Sequence, residues 1–255
     1  MLAATALRIG RLGRLGLFLG RTCAGALRTP PRARDLLDQM AFVGAHSVPV
    51  IAVSAAFVGM VLALQFHQTL VRFGSVALTG AAVGLGLVRE LGPVLTAIMV
   101  TARAGSALCA EIAIMRTEQQ IDALECMSID PLRQVVAPRL AAVVLAVPLL
   151  TAIFIVVGIF GGWVVARGLF DVTPAAYFAG MFDALGPGDL ALAAAKSVVF
   201  GVLVGWIATA RGFHLHQSDE ALLGAAGISR ATTAAVVWTC IAILGADCLL
   251  GMLFG

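Results

Sequence analysis

The sequence contains few charged residues. Only 12% of its 255 residues are Asp, Glu, Lys or Arg, whereas 60% are apolar. A typical soluble domain is about 25% charged and about 45–50% apolar, so a soluble chain of this length could not cover its surface. The composition therefore excludes an ordinary soluble domain and indicates an integral membrane protein.

Aromatic residues and paired cysteines are also few. Phe, Trp and Tyr make up 7% of the chain, which has 28 glycines. That balance is typical of closely packed membrane helices rather than of a β-barrel with aromatic girdles. The five cysteines form no C-x-x-C pair. We therefore expect an all-α fold without a disulfide framework or a zinc site.

Motifs of nucleotide binding and catalysis are missing. The only lysine, Lys196, follows alanine, so the sequence has no G-x-x-x-x-G-K-[ST] phosphate-binding loop. The stretch Gly84–Arg89 lacks the third glycine of a dinucleotide fingerprint, and Gly227–Ala231 lacks the last glycine of a nucleophile elbow. A polar turn, rather than a catalytic triad or a metal site, is the better interpretation of His214, His216 and Asp219. We expect a protein that is not an enzyme and binds no cofactor or metal.

Five apolar stretches are long enough to cross a bilayer, which requires about 20 residues each. They lie at about 42–64, 79–101, 136–165, 190–210 and 232–254. If the N-terminus is cytoplasmic, thirteen arginines lie in inner segments and only two, Arg72 and Arg167, in outer ones. The positive-inside rule therefore predicts a cytoplasmic N-terminus and a C-terminus across the membrane. Because five spans are too few to enclose a path for a large solute, we also expect a homodimer.

The first 40 residues are basic and amphipathic. They contain seven arginines and no acidic residue before Asp35, with Leu7, Leu12, Leu15 and Phe18 between the arginines. We predict a helix lying on the membrane at anionic lipid headgroups, in preference to a nucleic-acid-binding segment. The apolar run at 15–19 is short for a signal peptide, whereas a transit peptide remains an alternative. The chain is thus divided into an interfacial region, 1–40, and a membrane domain, 41–255.

Four ionisable residues lie within the predicted spans, namely Arg89, Glu90, Lys196 and Asp247. Each costs about 2.5–3.5 kcal/mol near the centre of a membrane helix and therefore requires a role. Lys196 and Asp247 have opposite charges and lie at the same depth, about 9–10 Å below the outer face, so we expect them to be close together. Gly92-Pro93 predicts a kink beside Arg89 and Glu90. A polar pocket for a charged or amphipathic solute and a structural salt-bridge network are both consistent with this pattern.

The connector between the second and third spans predicts an amphipathic helix over Thr117–Met127. Thr117 and Gln120 match a capping box at its start, and Asp130-Pro131 would end it. Apolar residues recur at helical spacing opposite acidic ones: Ile121, Leu124 and Met127 against Glu118, Asp122 and Glu125. Exposed apolar residues on a cytoplasmic loop suit docking into a groove of a partner. The alternative is a solvated acidic face without a partner.

Several motifs occur together, in order, over about residues 45–254. They are Arg89-Glu-Leu-Gly-Pro93, Ala102–Ala107, Ala110-Glu111, Met115–Gln119, Asp122–Glu125, Asp130-Pro131, Pro138-Arg139, Lys196–Phe200 and Ala226–Thr233. In these motifs the sequence closely resembles the MlaE (YrbE-type) permease family.

The resemblance implies the permease subunit of an ABC transporter in the bacterial inner membrane, moving phospholipids between the inner and outer membranes. It also implies a homodimer on MlaF-type ATPases, which bind the ATP, with an MlaD-type MCE protein on the periplasmic side and, in some systems, an MlaB-type STAS protein. An exporter of apolar solvents and a scaffold that anchors the ATPase and MCE partners are the alternatives.

The resemblance further implies two functional regions. A lipid pocket at the dimer interface, open toward the periplasm, would include Arg89, Glu90, Lys196 and Asp247, with Gln65 as a fifth member. The connector helix would couple the permease to the ATPase through Glu111, Arg116, Thr117, Glu118, Gln119, Asp122, Leu124 and Glu125.

Overall fold

The computed structural model describes residues 33–72, 75, 78–215 and 224–254, together with Gly16, Phe18, Gly20 and Thr22. Within these residues every regular element is helical. Five helical stretches are long and apolar enough to cross a membrane: Arg34–Arg72, Thr79–Thr117, Leu132–Phe170, Pro187–Phe213 and Ala225–Phe254. We number them spans one to five. The predicted all-α class and the five spans are confirmed.

The first three spans are composite. Span one joins helices Ala33–Val43 and Val48–Arg72 through a 3-10 turn, Ala45–Ser47. Span two consists of helices Thr79–Gly86, Gly92–Val100 and Ser106–Thr117, separated by π-helical turns at Leu87–Leu91 and Thr101–Gly105. Span three begins with a π-helical turn, Leu132–Val136, and continues as helix Ala137–Phe170. Span three packs between spans one and four, and span five packs against spans four and two.

Most of the basic N-terminal region lies outside the described residues. This holds for the predicted interfacial helix up to residue 32, apart from the four residues named above, and also for His216 and Asp219. Phe18 is described and buried, with its ring centroid 5.6 Å from that of Phe213 and 5.3 Å from that of His214. Its side chain therefore packs on the C-terminal end of span four, whereas we expected it on the apolar face of a helix lying on the membrane.

Two glycine pairs allow backbones to approach closely, as small-xxx-small spacing suggests. A Cβ atom on Gly201 or Gly205 would contact span three, at Val144 and Leu140. A Cβ atom on Gly80 would overlap the carbonyl group of Tyr177, which belongs to a short helix between spans three and four rather than to another span.

This short helix, Pro174–Ala184, is absent from our sequence predictions, and we call it the Tyr177 helix. The side chain of Thr173 accepts a hydrogen bond from the Ala176 N–H at its start. Tyr177 is completely buried, and its hydroxyl group donates to the Ile159 carbonyl at 3.3 Å. Burial raises the pKa of Tyr177, so its hydroxyl group stays protonated and available as a donor.

Candidate functional site

The π-helical turn Leu87–Leu91 in span two positions Arg89 and Glu90. Pro93 has no backbone N–H, so the carbonyl group of Arg89, four residues earlier, loses its usual helical partner. In the turn, the Gly92 N–H donates to the Leu87 carbonyl, one residue beyond the α-helical spacing. A π-helical turn thus lies directly before Gly92-Pro93, where the sequence predicts a kink, and such turns often occur at functional sites.

Lys196, in span four, supplies the hydrogen-bond donor that Pro93 lacks. Its ammonium group is fully buried and donates to the Arg89 carbonyl at 3.0 Å and to Glu90 Oε2 at 2.9 Å. It also forms an ion pair with Asp247 Oδ1 at 2.9 Å. The proximity of Lys196 and Asp247 that their depth predicts is confirmed. Two of the three protons of the ammonium group are therefore used in hydrogen bonds, and Asp247 adds a second carboxylate beside its charge.

Arg89 points away from Lys196 and pairs with an acidic residue that sequence reasoning missed. Its Nε donates to Asp189 Oδ1 at 2.6 Å, and Asp189 Oδ2 accepts from the Gly186 N–H at 2.9 Å. Asp189 is buried in the first turn of span four. Asp189 lies one residue before the fourth predicted apolar stretch, 190–210, and received no role from the sequence, although an unpaired Arg89 in a membrane span requires an acidic partner.

The five charged residues are unequally buried. Lys196 is fully enclosed, and Asp189 and Asp247 are largely so, whereas about half of the side-chain surface of Arg89 and Glu90 is accessible. Two cations and three carboxylates leave the group with a formal charge of −1. At adjacent positions of span two, one cationic side chain, Arg89, and one anionic side chain, Glu90, are therefore accessible, and we call them the cationic edge and the anionic edge of the cluster.

Gln65 does not join this cluster. Its side chain is exposed on span one, and its backbone carbonyl accepts a hydrogen bond from Thr69. Within the described part of the chain, the Gln65 side chain forms no hydrogen bond or ion pair with the five charged residues. Its assignment to the pocket stays a prediction.

The connector helix is shorter than predicted, running from Gln120 to Cys126. The predicted capping box at Thr117 is wrong, because Thr117 ends span two and its hydroxyl group donates to the Ala113 carbonyl at 2.8 Å. Gln119 then takes a left-handed conformation with φ 59°, which separates the two helices. The helix begins after this turn, three residues later than expected.

One apolar residue of the connector anchors it instead of facing solvent. Ile121 is fully buried against Ile112 and Val135, so its predicted exposure is wrong. Leu124 is half-buried in the same cluster, and Met127 is exposed. The connector therefore offers a narrower apolar surface than its sequence pattern suggests.

The residues predicted to couple the connector to an ATPase differ in their contacts. Arg116 Nη1 lies 2.9 Å from Asp122 Oδ1. The Arg116 guanidinium group also lies 5.6 Å from the centroid of the Phe213 ring. These two contacts connect the connector helix to spans two and four. Glu111 pairs instead with Arg139 of span three, at 3.4 Å. The exposed residues of the set are Glu118, Gln119, Asp122 and Glu125.

Comparison with known proteins assigns the chain to a family. A family model described as Permease MlaE matches residues 36–253. The chain belongs to the MlaE permease family. Among the described residues of this family member, no group of three or more His, Cys, Asp or Glu side chains is arranged to hold a metal ion.

Three relatives illustrate the range of the MlaE family. The chain is 39% identical over 250 residues to the intermembrane phospholipid transport system permease protein MlaE of Haemophilus influenzae, covering 96% of this chain and 92% of that protein. It is 37% identical over 243 residues, covering 95% and 92%, to a protein of Rickettsia felis named probable ABC transporter permease protein. It is 32% identical over 238 residues, covering 93% and 66%, to TRIGALACTOSYLDIACYLGLYCEROL 1, chloroplastic, of Arabidopsis thaliana. These relatives and the five apolar helices identify a multi-pass membrane protein of the permease type.

Proposed function

We propose that this chain is the membrane subunit of an ABC transporter that moves phospholipids between the inner and outer membranes, with Arg89 meeting the lipid phosphate. The name of the Haemophilus influenzae relative supports phospholipid transport, and that of the Rickettsia felis relative supports an ABC transporter. The ATP would bind to a separate ATPase subunit, so the permease itself needs no cofactor.

The observation that carries the proposal is the half-exposed side chain of Arg89. Arg89 lies ten residues from Thr79, the start of span two, and thus about 15 Å into the span. Asp189 accepts from Nε alone, so the other N–H groups of Arg89 still require a polar neighbour or a water-filled cavity at that depth. A phospholipid phosphate is a suitable neighbour, because a guanidinium group binds phosphate through paired N–H donors.

Lys196 has a different role in this proposal. Its ammonium group already lies among three oxygens and is fully buried, so it is poorly placed to bind a ligand. Lys196, Glu90 and Asp247 would hold spans two, four and five together behind the pocket. This arrangement favours Arg89 over Lys196 as the residue that binds the headgroup.

The assembly that we propose combines the predicted orientation of the spans with what the resemblance to the MlaE family implies. The N-terminus and the connector would be cytoplasmic, and the pocket would lie in the outer half of the bacterial inner membrane, at the interface of a homodimer. MlaF-type ATPases would dock on the connector helix, an MlaD-type MCE protein would cover the periplasmic side, and an MlaB-type STAS protein would join in some systems. Movement of the connector, driven by ATP, would open and close the pocket.

The proposal is tested by Arg89→Gln in the complex purified with its partner subunits. We expect the variant to assemble normally but to retain little phospholipid and to transfer it slowly between vesicles. Arg72→Gln is the matched control, since Arg72 is an exposed arginine at the end of span one. Normal lipid binding and transfer by the Arg89 variant would refute the role of Arg89.

The closed network around Lys196 favours one alternative, a scaffold that anchors the ATPase and MCE partners while lipid travels elsewhere. A scaffold needs these ion pairs for assembly and does not need the accessible edge of Arg89. Partner recovery with unchanged lipid transfer in Arg89→Gln would support the scaffold. Loss of transfer with normal partner recovery would support the transporter.

A further inference from the structure

We infer that the site formed by Arg89, Glu90 and Asp189 selects phospholipids whose headgroup carries both a phosphate and an ammonium group, as in phosphatidylethanolamine. The inference rests on the proposed function and adds a substrate preference to it. Its basis is that the two most accessible charges of the cluster are opposite in sign and adjacent in sequence.

Asp189 acts as a positioning residue on the cationic side. It binds Arg89 through Nε alone, and its second oxygen is held by the Gly186 N–H, so both partners are fixed in orientation. A guanidinium group has five N–H donors, four of them on the two terminal nitrogens. Among the described residues, Asp189 is the only side chain paired with Arg89. The terminal nitrogens are thus left to take two phosphate oxygens side by side.

Glu90 supplies the anionic side. Its Oε2 accepts from Lys196, whereas the side chain as a whole is 52% exposed. Asp247, the other carboxylate on Lys196, is only 20% exposed. Glu90 is therefore the carboxylate of this cluster whose second oxygen is best placed to accept hydrogen bonds from a headgroup ammonium.

The spacing of the two charged side chains suits one extended headgroup that contacts both. Asp189 and Lys196, the partners of Arg89 and Glu90, lie seven residues apart on span four, which is about 10 Å along the helix. The phosphate and ammonium of phosphatidylethanolamine are joined by a two-carbon bridge. One headgroup can accordingly span both edges, and a headgroup without an ammonium satisfies only the first.

The charge of the cluster favours the same headgroup. Two cations and three carboxylates give a formal charge of −1 before any lipid binds. An anionic lipid such as phosphatidylglycerol adds a second negative charge in a region of low dielectric, whereas a zwitterionic lipid adds none. Repulsion from Glu90 and Asp189 therefore acts against anionic headgroups.

The test compares two variants that change charge equally. The complex with its partner subunits is equilibrated in vesicles of equal phosphatidylethanolamine and phosphatidylglycerol, and bound lipids are measured by mass spectrometry. We expect the wild type to enrich phosphatidylethanolamine about two- to fivefold, the range of an exposed ion pair. Glu90→Gln should abolish this enrichment while retaining an oxygen that can accept from Lys196.

Asp183→Asn is the matched control. It also removes one negative charge, but from an exposed position of the Tyr177 helix outside the charged group, so enrichment should persist. Equal loss of enrichment in both variants would show a general charge effect and overturn the inference. Absence of enrichment in the wild type would overturn it without any variant, even if Glu90→Gln failed to assemble.

Arg89→Gln separates this inference from the proposed function. If that variant loses both lipids while Glu90→Gln keeps the preference, the headgroup site stands and the role of Glu90 is wrong. If Arg89→Gln binds both lipids normally, the proposed headgroup site itself is wrong.

Discussion

The charged cluster of spans two, four and five and the connector helix use the same residue types in opposite ways. In the cluster a lysine is fully buried among three oxygens, and the charges hold the helices together. In the connector the acidic residues are exposed, and a buried isoleucine holds the helix in place. Charges act as structural contacts where water is scarce, whereas apolar contacts take that role where water is plentiful.

Removal of Lys196 should break the cluster and have the largest effect. Lys196→Met leaves Glu90 and Asp247 without their cation and the Arg89 carbonyl without a donor. Breaking a buried ion pair by removing one partner costs about 3–5 kcal/mol of stability. Thermal unfolding of the purified complex in detergent measures this loss. Arg133→Met, at a half-exposed arginine near the connector, is the comparison and should unfold almost as the wild type does.

Removal of Ile121 should break the connector while leaving the cluster intact. Ile121→Ala deletes buried contacts with Ile112 and Val135, at a cost of about 2–5 kcal/mol. We expect faster hydrogen exchange over residues 120–126 and weaker ATPase binding, with bound phospholipid unchanged. Met127→Ala is the control, because Met127 is exposed. Equal effects of the two substitutions would show that Ile121 is not the anchor.

Substitution of one aspartate in each region should lower stability by a smaller amount and compares the cluster with the connector directly. Asp189→Asn weakens a hydrogen bond between a buried carboxylate and Arg89 and should cost about 1.5–3 kcal/mol. Asp122→Asn weakens the contact of an exposed carboxylate with Arg116 and should cost about 0–1 kcal/mol. Denaturation of both variants under one set of conditions measures the difference. A larger loss at Asp122 than at Asp189 would contradict the contrast between the two regions.

Several features of the site were predictable because their cause lies in a short stretch of sequence. Charges inside apolar stretches marked Arg89, Glu90, Lys196 and Asp247 directly, and equal depth predicted one of their pairings. Asp189 was missed because it lies near the end of its span, where a carboxylate is unremarkable. Its partner is 100 residues away in the chain, so no local pattern joins the two.

The connector shows why helical periodicity predicts a face but not its neighbours. The spacing of Ile121, Leu124 and Met127 identified one apolar side of a helix. It could not show that span three brings Val135 against Ile121 and removes that residue from the surface. The connector helix also begins later than predicted, because the Thr117 hydroxyl group donates a hydrogen bond within the preceding helix and does not cap the connector helix.

The sequence by itself determined five membrane spans and the positions of charges that require partners, because hydropathy and the cost of a charge in hydrocarbon are local properties. Tertiary structure alone decided that Lys196 is enclosed, that Asp189 fixes Arg89 and that the Tyr177 helix packs on Gly80. These contacts join residues far apart in the chain, and their geometry depends on how the helices pack.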